Sequence, residues 1–196
     1  MIKIRHRVNT SSELRTIDTR HGIEIDLRSY GEDVIVTHDV FREAETFVTW
    51  IKSFQHGPLI LNVKEEGIEE RILEVVKSAG VKDYFFLDQS FPYLVRTLRS
   101  GNSRTALRFS DFESVETALL VTPRPNWIWA DSFSGDWNHL AVDAERLHGL
   151  GYKICVAAPE LHGRDDEGER EQLAKTLQSK RAFITAICTK VPDQWN

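Results

Sequence analysis

The chain predicts an α/β fold, a compact (β/α)8 TIM barrel, on three observations. Short apolar runs alternate with amphipathic helical segments from end to end, which implies parallel strands joined by right-handed helical crossovers. The strand-like runs come to about eight, the count a closed barrel needs. No glycine-rich nucleotide loop follows any of them, which disfavours an open doubly wound sheet. With 196 residues the chain stands at the lower end for this barrel, roughly 200 residues and upward. One domain over residues 1–196 is expected, since no linker, repeat or low-complexity segment divides the chain.

Residues 2–6 read as the first strand, and residues 12–19 allow at most a short helix. Residues 22–28 form the second strand. There Ile23, Ile25 and Leu27 point one way and Glu24, Asp26 and Arg28 the other, because side chains along a strand alternate with a period of two. On a barrel strand the charged face is the lumen. Residues 34–38 add an extra strand or an extended excursion. A helix over 46–54 places Phe47, Trp50, Ile51 and Phe54 at helical spacing. Strand 59–64 follows, then helix 68–79, whose Ile68, Ile72, Val75, Val76 and Ala79 precede the stop at Gly80. Next come strand 84–87, helix 92–100 closed by Gly101, strand 105–109 and a helix capped by Asp111 and running to about Leu120. Strand 127–131, helix 138–150 before Gly151, strand 153–157, a charged helix over 166–180 with Leu173 and Leu177 inward, and strand 186–189 complete the chain.

Hydrophobic residues make up 41% and charged residues 28%, the composition of an ordinary globular protein. The net charge of −5 is spread with both signs interleaved, so no footprint for nucleic acid is present. No apolar run is long enough to span a bilayer, and the first residues lack the apolar segment of a signal peptide. A cytoplasmic protein without stable membrane insertion is the expectation. Cys155 and Cys188 lie in apolar runs and read as buried free thiols rather than a disulfide.

A (β/α)8 barrel keeps its active site at the carboxyl ends of its strands. Those ends carry His6-Arg7, Glu24, Asp26 and Arg28, His38-Asp39, Asn62 and Lys64, Asp88-Gln89-Ser90, Arg108, Asp131, Pro159-Glu160 and Thr189-Lys190. Two carboxylates at i and i+2 on one strand face lie roughly 6.5–7 Å apart along the chain, close enough to share one divalent cation. Oxygen ligands favour Mg²⁺ or Ca²⁺ over zinc. His6 and His38 suit a general acid and base pair, and Arg7, Arg28 and Lys64 suit a phosphate. Each residue also has a structural reading: a salt-bridge layer for Glu24, Asp26 and Arg28, lumen filler for Asn62 and Lys64, an ordinary loop pair for His38-Asp39. Convergence on one barrel end favours function. His21, His56, His139 and His148 read as solvated, and Trp127, Trp129 and Phe133 as core.

His6-Arg7, Gly22-Ile-Glu-Ile-Asp-Leu-Arg28, Val36-Thr-His-Asp39 and Leu61-Asn-Val-Lys64 together resemble the glycerophosphodiester phosphodiesterase family. That family belongs to the phosphatidylinositol-phospholipase-C-like TIM barrels. Its pattern runs HRG, E-x-D, HD and E-x-K, and Ser90-Phe91 and Thr189-Lys-Val-Pro-Asp193 are similar to its later motifs. The resemblance implies hydrolysis of a small-molecule phosphodiester, with His6 and His38 as the acid–base pair. It implies Arg7 and Lys64 on the phosphate, and Glu24, Asp26 and the Asn62 position on a divalent cation. The departures are Val8 for the family's glycine, Asn62 for its third metal-ligand glutamate, Cys155-Val-Ala-Ala-Pro-Glu160 for its W-T-x-N segment, Lys190 for its late aspartate, and no insertion after His38-Asp39. They imply a cation bound weakly or absent, with Glu160 or Asp131 as candidates to supply the missing carboxylate. Two other readings are a barrel that binds a phospho-ligand without turnover, and a sugar-phosphate lyase using Lys64 as a Schiff base.

Overall fold

A computed structural model describes residues 1–164 and 166–195. The elements follow the expected order. Strand β1 (Ile2–Arg5) leads through the short α1 (Ser11–Leu14) to β2 (Gly22–Tyr30) and β3 (Asp33–Val36). Helix α2 (Phe47–Trp50) runs into a 3-10 turn at Ile51–Ser53, then come β4 (Leu59–Val63), α3 (Glu69–Ser78), β5 (Tyr84–Leu87), α4 (Phe91–Arg99) and β6 (Ala106–Phe109). Helix α5 (Val115–Leu120), β7 (Trp127–Ala130), α6 (Asn138–Gly149), β8 (Lys153–Ala157), α7 (Glu167–Ser179) and β9 (Ala186–Thr189) finish the series.

Eight strands are parallel and hydrogen-bonded in the order β5-β4-β2-β1-β9-β8-β7-β6. The ends of that row meet at one parallel bridge, Phe86 to Thr105, where the Phe86 N–H donates to the Arg104 carbonyl at 3.0 Å. The result is a nearly closed (β/α)8 barrel with its weakest seam between β5 and β6. β3 pairs antiparallel with β2, Leu27 facing Val36, so the excursion after the second strand is a hairpin outside the barrel.

Alternation along the strands sorts the core into an inner and an outer layer. Ile4, Ile60, Phe85, Leu87, Ala106, Trp127, Trp129, Cys155, Ala157, Ala186 and Cys188 fill the lumen, and Phe85 stacks on Trp127 with centroids 4.3 Å apart. Ile23, Ile25 and Leu27 pack outward with Phe47, Trp50, Ile72 and Val76. On the opposite side Ile128, Ala130, Ile154 and Val156 pack under Leu140, Leu147, Leu173 and Leu177. Both cysteines are free and buried.

Four expectations need correction. Ser114, not Asp111, caps α5, accepting from the Glu116 N–H; Asp111 instead accepts from the Phe133 and Ser134 N–H groups. His56 is not simply solvated: its Nε2 lies 3.1 Å from the Ile17 carbonyl and its ring packs against Phe54. Phe133 is 43% exposed and is not core, because it follows β7 out of the barrel. His139 is not solvated: its Nε2 lies 2.8 Å from the Asp131 carbonyl, and its ring stacks on Trp137. Among the described residues no helix is long and apolar enough to cross a membrane.

Candidate functional site

The carboxyl end of the barrel holds a cavity of about 130 Å³ lined by His6, Glu24, Asn62, Lys64, Leu87, Asp88, Arg108, Trp129, Asp131, Ala157, Leu161 and His162. His6, Asn62, Lys64, Asp88, Arg108 and Asp131 stand near the carboxyl ends of their strands, Glu24 projects from within β2, and His162 comes from the turn after β8. Larger concavities occur at the amino-terminal side, around Met1, Lys3 and Arg20 or Gln178. They lack convergent buried titratable groups, so chemistry points to the smaller one.

Glu24 and Asp26 are wholly buried. Register places Asp26 beside Asn62, with Glu24 one step below. Glu24 Oε1 accepts from Asn62 Nδ2 at 2.9 Å, and Oε2 accepts from the Arg7 N–H at 2.6 Å. Arg7 holds a left-handed backbone, φ 56°, a conformation costing on the order of 1–3 kcal/mol outside glycine. That geometry aims its N–H at the carboxylate. Its guanidinium Nε stands 3.4 Å from Asp26 Oδ2. Asn9 closes a two-way clasp on the same residue: its Nδ2 donates to Asp26 Oδ2 at 2.8 Å, and its Oδ1 accepts the Asp26 N–H at 3.0 Å. Lys64 Nζ lies 3.2 Å from Asp26 Oδ1 and 3.6 Å from Asp88 Oδ2.

Burial first, and then the neighbouring Asp26 charge, push Glu24 up to about 7. Burial and the Arg7 charge bring His6 down to about 3, so its imidazole is neutral near pH 7. His6 Nε2 is 3.7 Å from Glu24 Oε2, and its Nδ1 is buried without a hydrogen-bond partner. A buried polar atom left unpaired costs about 1–3 kcal/mol, which marks a place where a ligand atom belongs.

The opposite wall is a closed network. Arg108 donates to Asp88 Oδ1 at 2.8 Å, Asp131 Oδ2 at 2.9 Å and Glu113 Oε1 at 3.1 Å. His162 Nε2 is 2.6 Å from Asp131 Oδ1. Burial tends to raise Asp131, but the His162 hydrogen bond and the His162 and Arg108 charges outweigh it and leave the carboxyl below its usual range.

The structure thus gathers His6, Glu24, Asn62 and Lys64 at one cavity, with Asp26 and Arg7 immediately behind. It does not bring His38 or Arg28 to that lining. His38 Nδ1 pairs with Asp39 at 3.1 Å, and both side chains are about half exposed, 43% and 55%. Arg28 donates to the His38 and Lys64 carbonyls at 2.9 and 3.3 Å, which ties the hairpin to the mouth. Glu160 accepts from the Thr189 hydroxyl, and Asp131 is taken by Arg108 and His162. The residue that sequence reading passed over is His162. It lies five positions past the end of β8, so the strand-end rule alone points to it; no local motif does.

By donor type, Glu24, Asp26 and Asn62 suit a hard divalent cation. Asn62 Oδ1 is a buried oxygen with no hydrogen-bond partner. Lys64 already stands against Asp26, and the Asn62 amide against Glu24, so a cation must compete for both carboxylates. Among the described residues no three side chains of histidine, cysteine, aspartate and glutamate gather as a metal nest.

No protein-family model matches the sequence, and no curated protein does. Solved structures do match. A glycerophosphodiester phosphodiesterase from Agrobacterium tumefaciens superposes with a TM-score of 0.70 at 15% identity, over 100% of this chain and 99% of that one. The enzyme of the same name from Thermotoga maritima gives 0.74 at 16% identity, over 99% and 96%. A glycerophosphoryl diester phosphodiesterase from Parabacteroides distasonis gives 0.69 at 12%, over 97% and 83%. The chain has the fold of the glycerophosphodiester phosphodiesterases.

Proposed function

We propose that the protein hydrolyses a small-molecule phosphodiester at the carboxyl end of its barrel. The observation that carries this reading is the cavity itself, which sets the His6 imidazole, its Nδ1 without a partner, against Lys64 and Arg108, with Arg7 behind. Cations and N–H donors stabilise charge on phosphoryl oxygens, and an imidazole beside the phosphorus can take a proton from the attacking water. The cavity is smaller than the roughly 300–1,000 Å³ that enclose a drug-sized ligand. It suits the phosphoryl group alone, with both alcohol portions outside, so the substrate is recognised by its phosphorus rather than by a deep pocket for its alcohols.

In this reading Lys64 and Arg108 bind the phosphoryl oxygens, Arg7 adds positive charge from behind through Asp26, and Arg28 holds the hairpin in place. Glu24, Asp26 and the Asn62 carbonyl oxygen would hold a Mg²⁺ or Ca²⁺ ion, weakly because Lys64 competes for Asp26. When bound, such an ion adds Lewis-acid polarisation of the phosphoryl group. Lys64 sits between two carboxylates, an arrangement for a fixed positive charge rather than for an attacking amine. That favours phosphate binding over a Schiff-base lyase.

The test is hydrolysis of bis(p-nitrophenyl) phosphate and of glycerophosphodiesters with Mg²⁺, Ca²⁺ or EDTA. Wild-type turnover that falls at least about 100-fold in His6→Ala is the expected result. Equal rates for the two proteins, or no turnover on any diester, reject the proposal.

A further inference from the structure

We propose that His162, oriented by Asp131, is the second proton-transfer residue of this site, in the role that the sequence motif gives to His38; the inference rests on the phosphodiesterase reading above. Proton transfer on both sides of a phosphorus needs two groups in one cavity. His6 and His162 both line it, whereas His38 turns to Asp39 at the half-exposed outer rim.

The anchoring of His162 is that of a working imidazole. Asp131 is 2% exposed, and each of its oxygens is held. Oδ1 accepts the Ser132 N–H at 2.9 Å as well as facing His162 Nε2 at 2.6 Å, and Oδ2 accepts from Arg108 at 2.9 Å. A carboxylate fixed in this way selects the Nε2–H tautomer and leaves Nδ1 for proton exchange, the logic of an acid–base histidine with an orienting aspartate. The backbone supports the placement. His162 is the last residue of the 3-10 turn Pro159–His162, which ends at Gly163 in a left-handed conformation, φ 73°. Arg164 then donates to the Ser132 carbonyl at 2.6 Å and to Glu169, pinning the turn to the segment that carries Asp131. The Phe133 ring meets His162 edge-on at 5.4 Å. The stretch from Cys155 to Glu160, one of the departures from the family pattern, leads directly into the turn that carries His162.

The step balances simply. His6 accepts a proton from the attacking water as the new P–O bond forms. Protonated His162 gives its Nδ1 proton to the alkoxide as the old P–O bond breaks. The two histidines then exchange protons with solvent and return to their starting forms.

The test uses the full chain with ¹³C,¹⁵N-labelled histidine, titrated with inorganic phosphate at constant pH. Saturable shifts of the His6 and His162 imidazole signals, larger than any at His38, are expected. Asp131→Asn should change the ¹⁵N signature of the His162 tautomer and shift the pH profile of kcat, the second of which a merely structural role would leave in place. In hydrolysis, His162→Asn should lower kcat by at least about tenfold with little change in KM, a larger loss than His38→Asn causes. Shifts at His38 without His162, or a kcat loss confined to His38, overturn the inference and leave the phosphodiesterase reading standing. No shift at any histidine together with no turnover overturns both. The titration needs only the wild-type chain, so an unfolded variant cannot blur the outcome.

Discussion

On the wall of the mouth built by β1, β2 and β4, His6 Nδ1 and Asn62 Oδ1 are buried without hydrogen-bond partners. On the wall built by β6, β7 and the turn after β8, Arg108 is shared among three carboxylates, and Asp131 is held by Arg108, His162 and a backbone N–H. Unpaired buried polar atoms are costly; among the cavity-lining groups they fall on the first wall, while Arg108, Asp131 and His162 on the second are paired, although Glu160 Oε2 in the turn after β8 is also buried without a partner. The difference teaches that motif strength and rigidity need not coincide: the wall with recognisable motifs is unsaturated, and the wall without them is the fixed frame.

The sharpest way to break this contrast is at His6. His6→Ala should reduce diester hydrolysis by about 10²–10⁴-fold, with folding checked by circular dichroism; retained activity would remove the first wall from the chemistry. Next is the frame. Arg108→Met leaves Asp88, Glu113 and Asp131 without their shared cation and should cost on the order of 3 kcal/mol in a urea melt. That is the low end for breaking a buried pair, since Arg108 is 30% exposed. A loss under about 1 kcal/mol would show that the second wall is an ordinary surface cluster.

The third prediction concerns pH. Glu24 is raised from 4.5 to about 7, so the folded state keeps this proton longer than the unfolded state. Its contribution to stability therefore worsens as pH climbs from 4.5 to 7. His6 acts in the other direction, because a fall from 6.5 to about 3 makes its contribution worsen as pH drops below 6.5. Glu24→Gln should gain stability over wild type as pH rises from 5 to 8; urea melts giving one constant difference at both values would sink the claim. The smallest effect is at the cation. Asn62→Glu supplies a third carboxylate and should tighten Mg²⁺ or Ca²⁺ binding at least about tenfold, about 1.4 kcal/mol, by calorimetry. Unchanged affinity would argue that Lys64 and the neighbouring N–H donors already satisfy this wall.

The lumenal direction of Glu24 and Asp26, the crossovers and all eight barrel strands were legible in the chain, because period-two alternation and helix stop signals are local. The cap of α5 and the hydrogen bond of His139 were not, since Asp111 and His139 are engaged by segments that local periodicity cannot bring near. His38 shows the limit of a motif: its neighbour Asp39 and its position after β3 are written in the sequence, but its distance from His6 depends on how the β2–β3 hairpin leans on the barrel. His162 shows the converse. Nothing beside it in the chain marks it, and its partner Asp131 lies 31 residues away. By itself the sequence determined the barrel and the polar face of its second strand, since both follow from spacing along one strand or helix. Only the tertiary structure decided which histidines share a cavity, because barrel closure sets distances between residues that the chain keeps far apart.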